Sequence, residues 1–223
     1  MAGMTSIYVG VSGLQSSQTA LNTTAHNLAN VYTKGYTRQL SFTSDRTYNK
    51  LGNSATSAMQ VGLGVSTSST SRVRDILLDS KYRKEAGRQG FYDSQYEAVS
   101  EVETIIGETE GVQFQNTIED LWSALSEMAK TPDSVVSRSE LVMNAVSFLD
   151  RAQSIYKELV DYQKNLNTKV QTTVDTINSL GDKINELNLK IAGVESSVES
   201  ANDLRDKRDY YLDELSKYVK ISY

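Results

Sequence analysis

The chain contains no cysteine. That excludes disulfides, thiolate metal sites and cysteine nucleophiles. It has a single histidine, His26, so no pair of imidazoles can hold a metal or relay a proton. One proline among 223 residues suits long helices with few breaks. No apolar run approaches the ~18 residues that a bilayer span requires. The opening "MAGMTSIYVGVSGLQ" has neither a basic start nor an unbroken apolar core, so it does not read as a cleavable signal peptide. Neither charge sign dominates: 23 Lys and Arg face 28 Asp and Glu, a net charge of −5. Such a chain has no general attraction for nucleic acid or an anionic membrane.

What is present is heptad periodicity. Ile7, Leu14, Leu21 and Leu28 recur every seven residues, with Val11, Gln18 and Ala25 between them. This predicts a helix over roughly 5–30 that packs on other helices. Gly10, Gly13 and many Ser, Thr and Asn residues weaken it, so it should order only against partners and be mobile in an isolated chain. After Asn30 the rhythm stops. Asn tolerates a helix end, and Gly35 can supply the positive φ of the following turn.

Residues 40–72 are rich in Ser, Thr and Gly. There Val61, Leu63 and Val65 alternate as one short half-buried strand. Helix returns from Val73 to about Ile106 on a loose stripe of Ile76, Leu77, Tyr82, Ala86, Tyr96, Val99, Val102 and Ile106. "GETEG" at 107–111 reads as a break, and Phe114, Ile118, Leu121, Trp122, Leu125 and Met128 mark the next helix. Pro132 ends it, with Thr131 as N-cap of the helix that follows. Val170, Ile177, Ile184, Ile191 and Val198 then repeat every seven, with Thr173, Leu180, Leu187 and Val194 between. This last long helix either runs with a bend from near 134 to about 200 or splits within 152–162. Leu204, Tyr211, Leu215 and Val219 predict one more amphipathic helix. The fold class is mainly α: long coiled-coil-like helices in a bundle, with a small irregular or β segment around 40–72. Three stretches follow: 1–38, an assembly helix and turn; 39–72, a loop with short strands; and 73–223, the long-helix region.

Candidate chemistry is thin. Gly62-Leu63-Gly64 lacks the third glycine and the strand-to-helix setting of a phosphate loop. Asn22-Thr23-Thr24 fits a glycosylation sequon only as a pattern and sits inside the heptad helix. Lys34 and Arg38 among tyrosines are too few cations for a nucleic-acid platform. Asp203, Asp206 and Asp209 alternate with Arg205, Lys207 and Arg208. We read them as a solvated face of ion pairs, each worth at most ~1 kcal/mol. No nucleophile, base and orienting group come together. The chain does not read as an enzyme, although a carboxylate-based site stays open as an alternative, and no cofactor or metal is expected.

"ALNTTAHNLANVYTKGYTRQ" resembles the N-terminal signature of the bacterial flagellar rod, hook and hook-associated axial proteins, through Leu21, Asn27, Leu28, Ala29, Asn30, Thr33, Gly35, Tyr36 and Arg38. His26 stands where that family often has a second Asn. A second block, "GLGVSTSSTSRVRDILLDSKYR", is similar to the family series that follows, at Gly62, Gly64, Val65, Arg72, Asp75, Leu78 and Arg83. "TPDSVVSRSELVMNAVSFLDR" and "NDLRDKRDYYLDELSKYV" resemble the long-helix region of the members that join hook to filament.

The resemblance implies a non-enzymatic structural subunit at that junction. It implies assembly of copies through terminal helices, with Ile7, Val11, Leu14, Leu21 and Leu28 facing neighbours. Partners would be other copies, the hook protein, and a second hook-associated protein or flagellin, with a dedicated export chaperone and no nucleic acid or membrane. The site would be the extracellular flagellum, reached through the flagellar secretion channel without a cleaved signal. The family normally continues into an outer domain and a C-terminal helix, so the chain reads as an N-terminal portion. At the turn, Gly35 would permit the fold, Tyr36 would pack and Arg38 would tie it to an acidic neighbour. A hook or distal-rod subunit, or a non-flagellar coiled-coil adaptor, are the alternatives.

Overall fold

The structure is a computed structural model. It describes residues 2–47, 49–54, 57–106, 114–197 and 199–221, with side chains for 6–47, 62–106, 114–197 and 199–221. The expected break at 107–111 and the heptad position Val198 lie outside the described residues. The elements are α1 (Ala2–Ala29), β1 (Gln39–Asp45), β2 (Asn49–Ser54), β3 (Ser57–Val61), β4 (Val65–Arg72), α2 (Ile76–Ile106), α3 (Phe114–Lys130), α4 (Val135–Glu195) and α5 (Asn202–Leu215). The chain is mainly α, and it forms two compact units: residues 1–85 with 179–223, and residues 86–178.

In the first unit, β1 pairs antiparallel with β4, and the β2–β3 hairpin is inserted between them in sequence. The single strand expected across Val61, Leu63 and Val65 is instead two strands. β3 ends at Val61, β4 starts at Val65, and Gly64 between them has φ +87°. That left-handed residue turns the chain from one pairing partner to another, which a continuous strand could not do.

α4 settles the choice left by the sequence, running unbroken over 61 residues. In its 179–195 portion Leu180, Leu187 and Ile191 are buried, and Ile184 and Val194 half-buried, at the spacing of the heptad. α5 needs correction. It ends at Leu215, so Val219 lies beyond it, and its buried residues are Asp206 and Asp209.

The second unit holds the remaining lengths of α2 and α4 together with α3. On α3 the inward positions are Phe114, Thr117, Leu121, Ala124 and Met128, while Ile118, Trp122 and Leu125 are exposed. Phe114 stacks on Phe148 at 5.6 Å, and Ala124, Ile155 and Ile105 complete a small core. The stripe expected on α2 is largely solvated here, with Tyr96 and Val99 exposed. The N-cap of α4 is Ser134, whose Oγ accepts the Ser137 amide at 3.3 Å. Thr131, the expected cap, instead bonds back to the Glu127 carbonyl.

Candidate assembly site

α1 faces the rest of its unit with its polar side. Ser12 and Ser16 are buried, and Thr19, Thr23 and Asn27 are half-buried, at spacings of three and four. The heptad row points the other way: Ile7 is 66% exposed, Val11 45%, Leu14 69%, Leu21 68% and Leu28 74%. β1 repeats the inversion, with Gln39 buried and Leu40 and Phe42 exposed. A soluble amphipathic element ordinarily does the opposite.

What holds α1 is a set of directional bonds. Its first anchor is Ser12, whose Oγ donates to the Val9 carbonyl at 2.8 Å and accepts the Val65 amide at 3.2 Å. A Cβ on Gly64 would lie 2.1 Å from that Oγ and 3.3 Å from the Val9 Cα, so only glycine allows so close an approach. A second anchor is Asn27. Its side chain donates to the Gln39 carbonyl and accepts the Gln39 amide, both at 2.9 Å, as a neighbouring strand would. The same Asn27 oxygen accepts the Tyr36 hydroxyl at 2.7 Å. Burial first, then the carboxylates of Asp203 and Asp206, push the Tyr36 phenol above its ordinary pKa.

Between these anchors lies the elbow. Asn30 returns its side-chain amide to the His26 carbonyl at 3.0 Å and accepts the Thr33 hydroxyl at 3.1 Å. Gly35 has φ +79°, and a Cβ there would sit 2.7 Å from Tyr210 Cβ. Arg38 does not play the expected part. It is exposed, and among the described residues no carboxylate reaches it. The acidic contacts go to the elbow's own polar groups. Thr37 N donates to Asp206 Oδ2 at 3.0 Å, and Gln39 Nε2 to Asp203 Oδ1 at 2.8 Å.

The second block supplies the counter-ions. Arg72 Nη1 bridges Asp206 at 2.8 Å and Asp209 at 2.7 Å. Arg74 binds Asp79 at 2.5 Å and Asp213 at 3.3 Å, and Arg83 binds Asp213 at 2.6 Å. Asp206 is 3% and Arg83 5% exposed. Burial disfavours the Arg74 charge, but Asp79, Asp209 and Asp213 outweigh it, leaving its pKa raised. Asp206 and Asp209 are therefore not part of a solvated face, whereas Asp203 is exposed as expected. The shortest contacts of Asp206 and Asp209 run to Arg72, more than 120 residues away in sequence, with Arg208 of the same helix 3.6 Å from Asp209. Removing one member of such a buried cluster costs about 3–5 kcal/mol, several times an exposed pair. Arg205 also pairs off its own helix, with Glu195 at the end of α4 at 2.5 Å.

The other block residues divide. Asp75 caps α2 by accepting the Leu77 and Leu78 amides at 2.8 and 3.2 Å. Val65 contributes its amide to Ser12, while Leu78 and Gly62 are exposed. Ser12, Gln39, Arg74 and Asp213 are missed by sequence reasoning. Nothing local marks them, since each is an ordinary polar residue until the fold supplies its partner.

A family model for the flagellar hook-associated protein FlgK helical domain matches residues 99–223, and one for the flagella basal body rod protein matches residues 7–37. Flagellar hook-associated protein 1 of Bacillus subtilis is 35% identical over 99% of this chain and 45% of its own length. The proteins of that name from Salmonella typhimurium and Escherichia coli are each 26% identical over 95% of the chain, covering 37% and 38% of their own lengths. The chain thus spans less than half the length of these relatives.

Proposed function

This chain belongs to the family of the flagellar hook-associated protein FlgK helical domain, and on that basis we propose that it is part of a structural subunit joining hook to filament. The observation that carries the reading is the aliphatic row of α1, left exposed while the opposite face is bolted down by Ser12, Asn27 and the Gly64 contact. Neighbouring copies complete that row. Covering Ile7, Val11, Leu14, Leu21 and Leu28 is worth on the order of 10 kcal/mol before ordering costs. Residues 1–38 serve as the assembly segment, 39–72 as its strand connection and 73–223 as the long-helix region. Other partners are the hook protein on one side and a second hook-associated protein or flagellin on the other. An export chaperone accompanies the subunit through the flagellar secretion channel to the cell exterior, and no cleaved signal is needed. The role is not enzymatic.

The test is to express Leu14→Lys/Leu21→Lys in a strain lacking the protein. The isolated chain should keep its stability, because both side chains already face water. Hooks should stand bare, with flagellin shed into the medium. Normal filaments would overturn the reading. The match of 7–37 to the rod family supports a second reading, a hook or distal-rod subunit. Under it, electron microscopy of the deletion strain would find hooks missing rather than bare.

A further inference from the structure

The elbow at 31–38 has little apolar anchoring of its own: Val31 and Tyr32 are exposed, and half-buried Tyr36 meets only the edge of His26 among ring contacts of the described residues. From outside α1 and β1, the Val73 amide donates to the Arg38 carbonyl at 2.9 Å, and the other contacts come from α5. Asp206 accepts the Thr37 amide, Asp203 accepts from Gln39 Nε2 and lies 3.4 Å from His26 Nε2, and Tyr210 backs Gly35. Asn202 Nδ2 adds a bond to the Thr70 carbonyl at 2.8 Å. α5 itself is only 14 residues long, and none of Leu204, Leu212 and Leu215 is fully buried. It is held by charge, through Arg72, Arg74 and Arg83 on Asp206, Asp209 and Asp213.

We propose that α5 is a latch: the arginine cluster fastens it, and the fastened helix locks the elbow that sets the direction of α1. The two strand-side anchors report separately. The Gln39 amide is held by Asn27, within the α1–β1 joint. The Thr37 amide is held only from α5. Arg83 and Asp213 touch neither amide, yet they fasten the helix that holds Thr37. Release of the latch should therefore free Thr37 while Gln39, α4 and the strands stay closed. The inference concerns the single chain and stands apart from the junction reading.

The experiment is amide hydrogen exchange resolved by NMR on the 223-residue chain. Its variants are Arg83→Gln and the milder Asp213→Asn, with Asp206→Asn as the direct release. Each should speed exchange at Thr37 by about ten- to a hundred-fold, the range for losing a hydrogen bond to a charged group. Gln39 and the α4 amides around 180–191 should accelerate clearly less than Thr37. The reciprocal variant Asn27→Ala should expose Gln39 first. If Arg83→Gln and Asp213→Asn leave Thr37 unchanged, or if every amide of the unit accelerates together, the cluster is only general support and the latch is refuted.

Discussion

Gly64 and Ser12 offer a quantitative check on how α1 is fastened. Gly64→Ala places a methyl 2.1 Å from Ser12 Oγ on a residue at φ +87°. The left-handed backbone costs about 1–2 kcal/mol for a residue with a Cβ. Ser12 must also swing away, which abandons the Val65 amide; an unpaired amide costs about 1–2 kcal/mol more. With the remaining tight contact to Val9, the single change should destabilise by about 3–5 kcal/mol. Ser12→Ala alone loses the amide's acceptor, about 1–2 kcal/mol. In the double variant the oxygen is already gone, so the amide loss counts once, while the tight contacts to the Cβ of residue 12 and to Val9 remain. Its cost should be about 3–5 kcal/mol, leaving a coupling of about 1–2 kcal/mol in favour of the pair. Urea denaturation followed by circular dichroism on the four chains measures this. Additivity within about 0.5 kcal/mol would show that Gly64 does not seat on Ser12.

Other outcomes follow from the same contacts. Gly35→Val meets both a positive φ and Tyr210 Cβ at 2.7 Å, and should cost about 3–5 kcal/mol locally. It should damage junction assembly more than export, and normal filaments on that variant would contradict it. Tyr36→Phe removes the 2.7 Å bond to Asn27 and should cost about 1 kcal/mol near pH 8. Because folding raises the Tyr36 pKa above 10.0, its contribution is whole below that value and fades as pH rises through the folded one. The stability gap between wild type and Tyr36→Phe should therefore shrink at high pH, and a gap constant from about pH 8 to 11.5 would refute the assignment.

The periodic elements were legible because heptad spacing and strand alternation are local signals. α1 and the heptads of α4 needed only the recurrence of Leu28 after Leu21 and Leu14, or of Ile191 after Ile184. The direction in which each face points was harder. Ile76, Leu77, Tyr96 and Val99 share the helical spacing of a core stripe, yet all four are exposed. The single strand through Val61 and Val65 gives way to two strands because Gly64 turns at φ +87° close against Ser12, a contact that its neighbours in sequence do not reveal. Asp206 and Asp209 failed for a related reason. An i, i+3 acidic row among lysines and arginines looks the same whether water or a distant arginine faces it. Only Arg72, Arg74 and Arg83, delivered by β4 and α2, distinguish the two.

The inverted polarity of α1 has a physical logic that links fold to assembly. Hydrogen bonds and ion pairs are directional, so anchoring the helix through Ser12, Asn27 and Gln39 fixes its axis relative to β1. Apolar contact is non-directional and tolerates small rotations of a neighbour. A subunit that must meet several copies gains from keeping direction inside itself and leaving adhesion outside. Had the leucines been turned inward, α1 would be more stable alone and would have nothing left with which to bind. Had the inward face been apolar as well, the elbow angle would rest on packing that can slip by a fraction of a turn. If neighbouring copies cover that row as proposed, the polar inner face and the exposed aliphatic row are two halves of one requirement, an angle set by the monomer and a cohesion supplied by its neighbours.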